Sequence, residues 1–159
     1  MDNLISSLFS LEGVAHVELF KSSSKPWLIL NHLIAYIESF PLLGQIKSAI
    51  PKSVTLTSPE LVFIDEGVTV GPNVVIEGPC LIGKGVEIRS NALIRAGCIL
   101  EKDSLVGHCS ECKGSIFLSH AKAPHFNYVG DSIIGHGVNL GAGVTCANFR
   151  LDHKEISLI

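Results

Sequence analysis

Apolar side chains recur every six residues along the middle of this chain: Ile64, Val70, Ile76, Ile82, Ile88, Ile94, Leu100, Val106, Cys112 and Leu118. The same spacing resumes with Tyr128, Ile134, Leu140 and Cys146. An α-helix repeats at about 3.6 residues and a flat strand at about 2.0, so neither alone yields a period of six. Four residues after most of these anchors stands a second, mostly small side chain: Val68, Val74, Cys80, Val86, Ala92, Cys98, Ser104 and Ser110, then Ser132, Val138 and Val144. The double signature predicts hexapeptide units, each a short strand plus a tight turn. Three units close one triangular coil, so residues three hexads apart stack at roughly 4.8 Å along the axis. The predicted architecture is all-β, a parallel β-helix over residues 58–159 behind a small helical segment over residues 1–57.

That first segment reads differently. Ser24 is placed to cap a helix with Pro26 in its first turn, and Trp27, Leu30, Ile34 and Ile37 follow at helical spacing. Phe40-Pro41 ends it, and a shorter helix is expected near 3–9. A solenoid needs its open end covered, so these helices are expected to cap the first coil.

Composition narrows the function. The 159 residues suffice for one good-sized core, and the 47% hydrophobic content suits stacked coils and flat contact faces. A net charge of −3 argues against general nucleic-acid binding. The apolar stretch 26–37 is too short for a membrane span and contains Asn31 and His32. No cationic region precedes an apolar stretch at the start of the chain, so a cytoplasmic protein is expected. Five cysteines give no paired framework. Cys109 and Cys112 form a C-x-x-C beside His108, yet the second ligand pair of a zinc site is missing. The hexad register turns Cys80, Cys98, Cys112 and Cys146 inward as small core residues, and no metal is expected.

Between Leu118 and Tyr128 the spacing is ten, which exceeds the repeat by four. The surplus is expected to leave the coil as a loop carrying His120, Lys122 and His125, on the face where repeat folds gather function. Arg95 and Lys113 hold the same hexad position one coil apart and should stack on one outer face, with Glu77 a further coil away. Two adjacent cations repel unless an anion lies near. Either this is a Glu-Arg-Lys surface ladder or it is a phosphate site, for which a guanidinium fork and an ammonium are suited. His125 could accept a proton from an amine or hydroxyl nucleophile. Gly135, Gly137, Gly141 and Gly143 recur as turn formers of the hexads.

The stretch A-K-A-P-H-F-N-Y-V-G-D-S-I-I-G-H-G-V-N-L-G-A-G-V-T-C-A-N-F resembles the acetyltransferase domain of the GlmU family, bifunctional glucosamine-1-phosphate N-acetyltransferases and N-acetylglucosamine-1-phosphate uridyltransferases. The likeness runs from about residue 60 to 155 and strengthens from Arg95 onward. It implies a left-handed β-helix, a homotrimer with sites between subunits, acetyl-CoA as co-substrate, and an amino-sugar phosphate or nucleotide sugar as acceptor. His125 matches the family's catalytic base. Arg95 and Lys113 match the residues that hold the sugar-linked phosphate, and Tyr128 and Asn139 match sugar-binding residues. Lys154 falls where the family has another phosphate-contacting lysine. Ala142, Asn148 and Phe149 match positions lining the coenzyme.

The departures matter equally. The family has tyrosine at the position of Phe149, and an Asp-Gly pair where this chain has Arg150-Leu151. The family continues for several coils beyond the point matching Ile159, so the β-helix is read as cut short there. The glycine-rich uridyltransferase signature is absent. The resemblance therefore implies an N-acetyltransferase in amino-sugar and cell-envelope precursor synthesis. The alternative is a non-catalytic sugar-phosphate or nucleotide-sugar binding module, or a trimeric scaffold.

Overall fold

A computed structural model describes residues 4–147 and 151–154. Its strands are all parallel and stack into three sheets, one per side of a triangular prism. The result is a parallel β-helix of about five turns, consistent with the left-handed form. One side holds Val62–Ile64, Cys80–Ile82, Cys98–Leu100, Ile116–Phe117 and Ile133–Ile134. The second, called here the cationic face, holds Thr55–Thr57, Val75–Glu77, Leu93–Ile94, Glu111–Lys113, Tyr128–Gly130 and Thr145–Cys146. The third, the groove face, holds Thr69–Val70, Glu87–Ile88, Leu105–His108 and Lys122–His125. Successive strands at first pair at the predicted three-hexad offset, as in Ile76↔Ile94 and Ile82↔Leu100. The prism is filled by the predicted anchors and their small companions, including Ile64, Val74, Cys80, Ile82, Ala92, Ile94 and Cys98.

The expected loop does not form. Residues Lys122–His125 are a strand of the groove face, offset from their partners by one residue less than three hexads: Lys122↔Leu105, Ala123↔Val106 and His125↔His108. The repeat keeps this shortened coil from Cys112 onward. Phe117 pairs with Leu100 and Val129 with Cys112, so the inward side chains step Cys112, Phe117, Ala123, Val129, Ile134. Leu118 and Tyr128, read as anchors, therefore point outward. Each sits beside another apolar residue, so apolarity alone fits two registers there, and register decides which side chain enters the core. The bulk of Phe117 enters the same coil as Ala121 and Ala123, which leave it room.

The helical segment comprises Leu4–Leu8, Val17–Phe20, Pro26–Ile29 and Leu33–Glu38, the last two joined by a 3₁₀ turn over Leu30–His32. Pro26 opens its helix as expected, but the N-cap is Lys25 and no side chain caps it. The segment covers a side of the prism, where the end of the solenoid was expected. Ile5, Leu19, Phe20, Ile29, Leu33 and Ile37 pack on the outward Phe63, Leu81, Ile99, Ile116 and Leu118 of the first sheet. Those five outward apolar residues explain the choice, because burying them is worth far more than shielding one strand edge. The chain's next stretch covers the end: Ile46 bridges Ile64, Thr55–Thr57 pair with Val75–Glu77, and Ile50, Val54 and Leu56 pack on the interior. Pairing with the solenoid thus begins ahead of residue 58.

A buried carboxyl joins helices and solenoid. Glu101 accepts the backbone N–H of His16 at 3.3 Å and the Ser119 hydroxyl at 3.2 Å. Burial pushes its carboxyl up, against those hydrogen bonds and others from the Ala15 and Ser119 backbones. His16 Nδ1 lies 3.0 Å from the Tyr36 hydroxyl, and burial lowers the imidazole to about 4, so it is neutral near pH 7. Among the described residues, no helix is long and apolar enough to cross a membrane.

Candidate functional site

The cationic face places its charges by register. Leu93↔Glu111 and Ile94↔Cys112 are paired, and Arg95 N–H donates to the Cys112 carbonyl at 2.8 Å, so Arg95 and Lys113 occupy adjacent rungs on the outer surface. The predicted ladder is present, but each cation also has its own carboxylate. Arg95 Nη1 is 3.0 Å from Glu111 Oε1, and Lys113 Nζ is 3.3 Å from Asp131 Oδ2. The hydrogen bond that Arg95 donates to Glu111 raises its guanidinium further, with Glu77 adding a weaker electrostatic contribution. All four side chains are partly open to water, so the pairs add little stability. Their consequence is positional: they hold two cations side by side, and an incoming phosphate can compete for both.

Tyr128 completes this surface. It pairs with Glu111 one coil away, and Gly130 pairs with Lys113. The phenol folds back over Gly130, where a Cβ would lie 2.7 Å from the hydroxyl and 2.8 Å from Cε1. A side chain at 130 would displace the ring, so the glycine holds Tyr128 flat beside Lys113.

His125 stands around the corner, at the end of the groove face and just ahead of Tyr128. Its side chain is exposed, but its backbone is braced twice. His125 N–H donates to Asn127 Oδ1 at 3.0 Å, and its carbonyl accepts from Gly143 N–H at 3.0 Å. Asn127 is buried and fully engaged. Its Nδ2 donates to the carbonyls of Gly141 at 2.8 Å and Val144 at 3.3 Å, and its N–H to the Ser110 hydroxyl at 3.0 Å. The turn over residues 141–143, which carries the exposed Ala142, is thereby tied to the histidine. Phe126 between them is exposed and left-handed, with φ 52.

The structure therefore brings together Arg95, Lys113 and Tyr128 on one face, with His125 and Ala142 joined at the adjoining corner. Asn139 lies apart, exposed on the groove face and bridged to Lys122. Lys154 is exposed, its N–H on Asp152 Oδ1 at 3.4 Å. Asn148 and Phe149 lie outside the described residues. Sequence reasoning missed Glu111, Asp131, Gly130 and Asn127. Glu111 stands two positions before Lys113, the residue one full coil on from Arg95, so only the first of these carried a usable signal.

The C-x-x-C splits across the wall. Cys112 is fully buried and hydrogen-bonded to Cys98, whereas Cys109 is exposed at a corner. The hydrogen bond with Cys98, followed by burial, pushes the Cys112 thiol up, and burial pushes the Cys80 thiol up, which suits inert core residues.

Residues 62–96 match the family model for the bacterial transferase hexapeptide (six repeats). The chain carries a hexapeptide-repeat domain. It is 41% identical over 148 residues to the "Bifunctional protein GlmU" of Methanococcus vannielii, covering 93% of this chain and 35% of that protein. The protein of the same description from Methanococcus maripaludis is 37% identical over 149 residues, covering 92% and 34%. A "Bifunctional sugar-1-phosphate nucleotidylyltransferase/acetyltransferase" from Sulfurisphaera tokodaii is 42% identical over 116 residues, covering 62% and 29%. The hexapeptide-repeat chain thus spans about a third or less of the length of these curated relatives.

Proposed function

We propose that this domain is an acyltransferase that moves an acetyl group from acetyl-CoA to the amine of an amino-sugar phosphate such as glucosamine-1-phosphate. The observation that carries the reading is the junction of an exposed, backbone-braced histidine with a paired-cation face. Arg95 and Lys113 would hold the acceptor's phosphate, exchanging their carboxylate partners for phosphoryl oxygens. Tyr128 would lie along the sugar. His125 would take a proton as the amine attacks the thioester carbonyl, and the coenzyme would leave as its free thiol. Fixing the histidine backbone at both N–H and C=O limits the reorganisation needed at the moment of attack. Ala142, on the turn bonded to His125, stands where the donor would approach, and Asn139 and Lys154 are assigned to acceptor binding.

The description of the Sulfurisphaera tokodaii relative, which names an acetyltransferase, supports acetyl transfer. We further propose a homotrimer in the cytoplasm, because the helical segment occupies one side of the prism and leaves the other two for contacts between copies. The site test is Lys113→Ala: the KM for the phosphorylated acceptor should rise about tenfold or more while the KM for acetyl-CoA holds. A selective rise in the coenzyme KM would contradict the assignment.

A further inference from the structure

Of the 15 glycines in the chain, one is approached by neighbouring backbone far more closely than the rest. A Cβ on the buried Gly107 would lie 1.7 Å from the Pro124 carbonyl oxygen, 2.0 Å from its carbon and 2.4 Å from Pro124 Cα. The next tightest approach to backbone is 2.5 Å, at Gly71, which holds the same position of the groove face two coils earlier. Non-bonded carbon and oxygen rest at about 3.3–3.6 Å. A side chain at 107 therefore drives the Pro124 carbonyl back by roughly 1.5 Å. Both partners are main chain, so no change of rotamer relieves the contact.

The contact lies one peptide from His125. Ala123↔Val106 and His125↔His108 are paired on either side of it, where the shortened coil meets the rung below. The carbonyl that rests on Gly107 and the N–H of His125 belong to one planar peptide. That N–H donates to Asn127 Oδ1 at 3.0 Å. The plane is thus held at both edges, its oxygen over a residue without a side chain and its hydrogen on a buried amide. Because the unit is rigid, displacing the oxygen tilts the N–H off Asn127 and carries the His125 Cα with it. The proline ring fixes φ at about −65°, which removes one of the two rotations that would let the plane swing aside.

We propose that Gly107 is a positioning residue for His125: with Pro124 it fixes the peptide plane that sets the imidazole at its corner. The assignment rests on the acyl-transfer role proposed for His125. Gly107 touches no reacting group and acts only through the Pro124–His125 peptide. A misplacement of about 1 Å at a reacting group can cost about 10²-fold in rate, and the displacement forced by a methyl group at 107 is of that size.

The test measures kcat and both KM values in the intact protein for Gly107→Ala, Gly71→Ala and His125→Ala, each at a temperature where circular dichroism shows it folded. Gly107→Ala is expected to lose about 10²-fold in kcat, with the KM for glucosamine-1-phosphate and for acetyl-CoA held within about twofold. Gly71→Ala overpacks the same face three rungs below Pro124, so it should lose stability and keep its kcat. Wild-type kcat in Gly107→Ala, or an equal loss in Gly71→Ala, would overturn the proposal. Amide hydrogen exchange gives a readout besides turnover: the His125 N–H should lose about tenfold in protection in Gly107→Ala, and unchanged protection would contradict the assignment. If His125→Ala keeps full turnover, the acyl-transfer role falls and the positioning role with it. Failure of the Gly107 assignment alone looks different, with His125→Ala inactive and Gly107→Ala fully active. Should Gly107→Ala not fold, Pro124→Ala takes its place: it adds no atom at the contact but frees the plane, and its kcat should fall about threefold or more. An unchanged kcat in that variant would equally sink the idea.

Discussion

Asn127 shows how much one side chain can organise. Buried, it makes three side-chain hydrogen bonds that link His125 to the 141–144 turn, and its backbone N–H donates to the Ser110 hydroxyl of the preceding coil. Asn127→Ala leaves the His125 N–H and the Gly141 carbonyl without this partner, while the Val144 carbonyl keeps only the Tyr128 N–H; each buried polar group left unpaired costs about 1–3 kcal/mol. The expected loss is about 2–4 kcal/mol in urea unfolding, with a fall in turnover from a misplaced His125. A variant with unchanged stability would show the network to be dispensable. Asn127 was invisible in the sequence because it lies between two residues that drew attention, and because the presumed loop left no reason to expect burial. The placement of Arg95 and Lys113 was legible, because a cation pair separated by three whole hexads reports its rung directly, whereas His125 was expected on an extruded loop and instead ends a strand. Of the carboxylates opposite, Glu111 was signalled by its place two positions before Lys113, whereas Asp131 was not, since its pairing depends on rotamers and on the shortened coil.

At the scale of elements, the hexads specified strands, interior and stacking through Val106. The loss of one residue from each later coil was hidden by the Phe117-Leu118 and Tyr128-Val129 pairs. A doubled apolar residue leaves the register to packing, and here packing consumes the apparent surplus without extruding it. The helices were legible as helices. Their docking site was not, because the outward Phe63, Leu81, Ile99 and Ile116 interleave with inward anchors and read as ordinary strand residues. The helix–solenoid junction carries a pH prediction. His16 falls from 6.5 to about 4 on folding, so the folded state binds fewer protons. Its neutral form is fully compatible with the fold above pH 6.5, and stability is lost as the pH falls from 6.5 towards 4, by about 3 kcal/mol at most. Glu101, raised on folding, acts oppositely: its protonation favours the folded state as the pH approaches its ordinary 4.5 from above. His16→Gln removes only the first contribution. Urea midpoints at pH 7 and pH 5 should therefore differ less in this variant than in the wild type, and an equal difference would contradict the buried neutral histidine.

For the whole molecule, the helical segment decides which surfaces remain for assembly. With one side covered, the cationic and groove faces and the His125 corner between them are left open. A closed threefold ring uses those two faces in a heterologous contact, and sedimentation should give three times the 17.0 kDa chain mass; a monomer at micromolar concentration would remove the assembly from the account. The role proposed for His125, braced at this corner, is to accept a proton during acyl transfer. It is tested most directly by thiol release from acetyl-CoA with glucosamine-1-phosphate, comparing wild type with His125→Ala at matched thermal stability. Turnover is expected in the wild type, with a loss of about 10²–10⁴-fold in the variant. Equal turnover in both, or bound acceptor without turnover in the wild type, would contradict it.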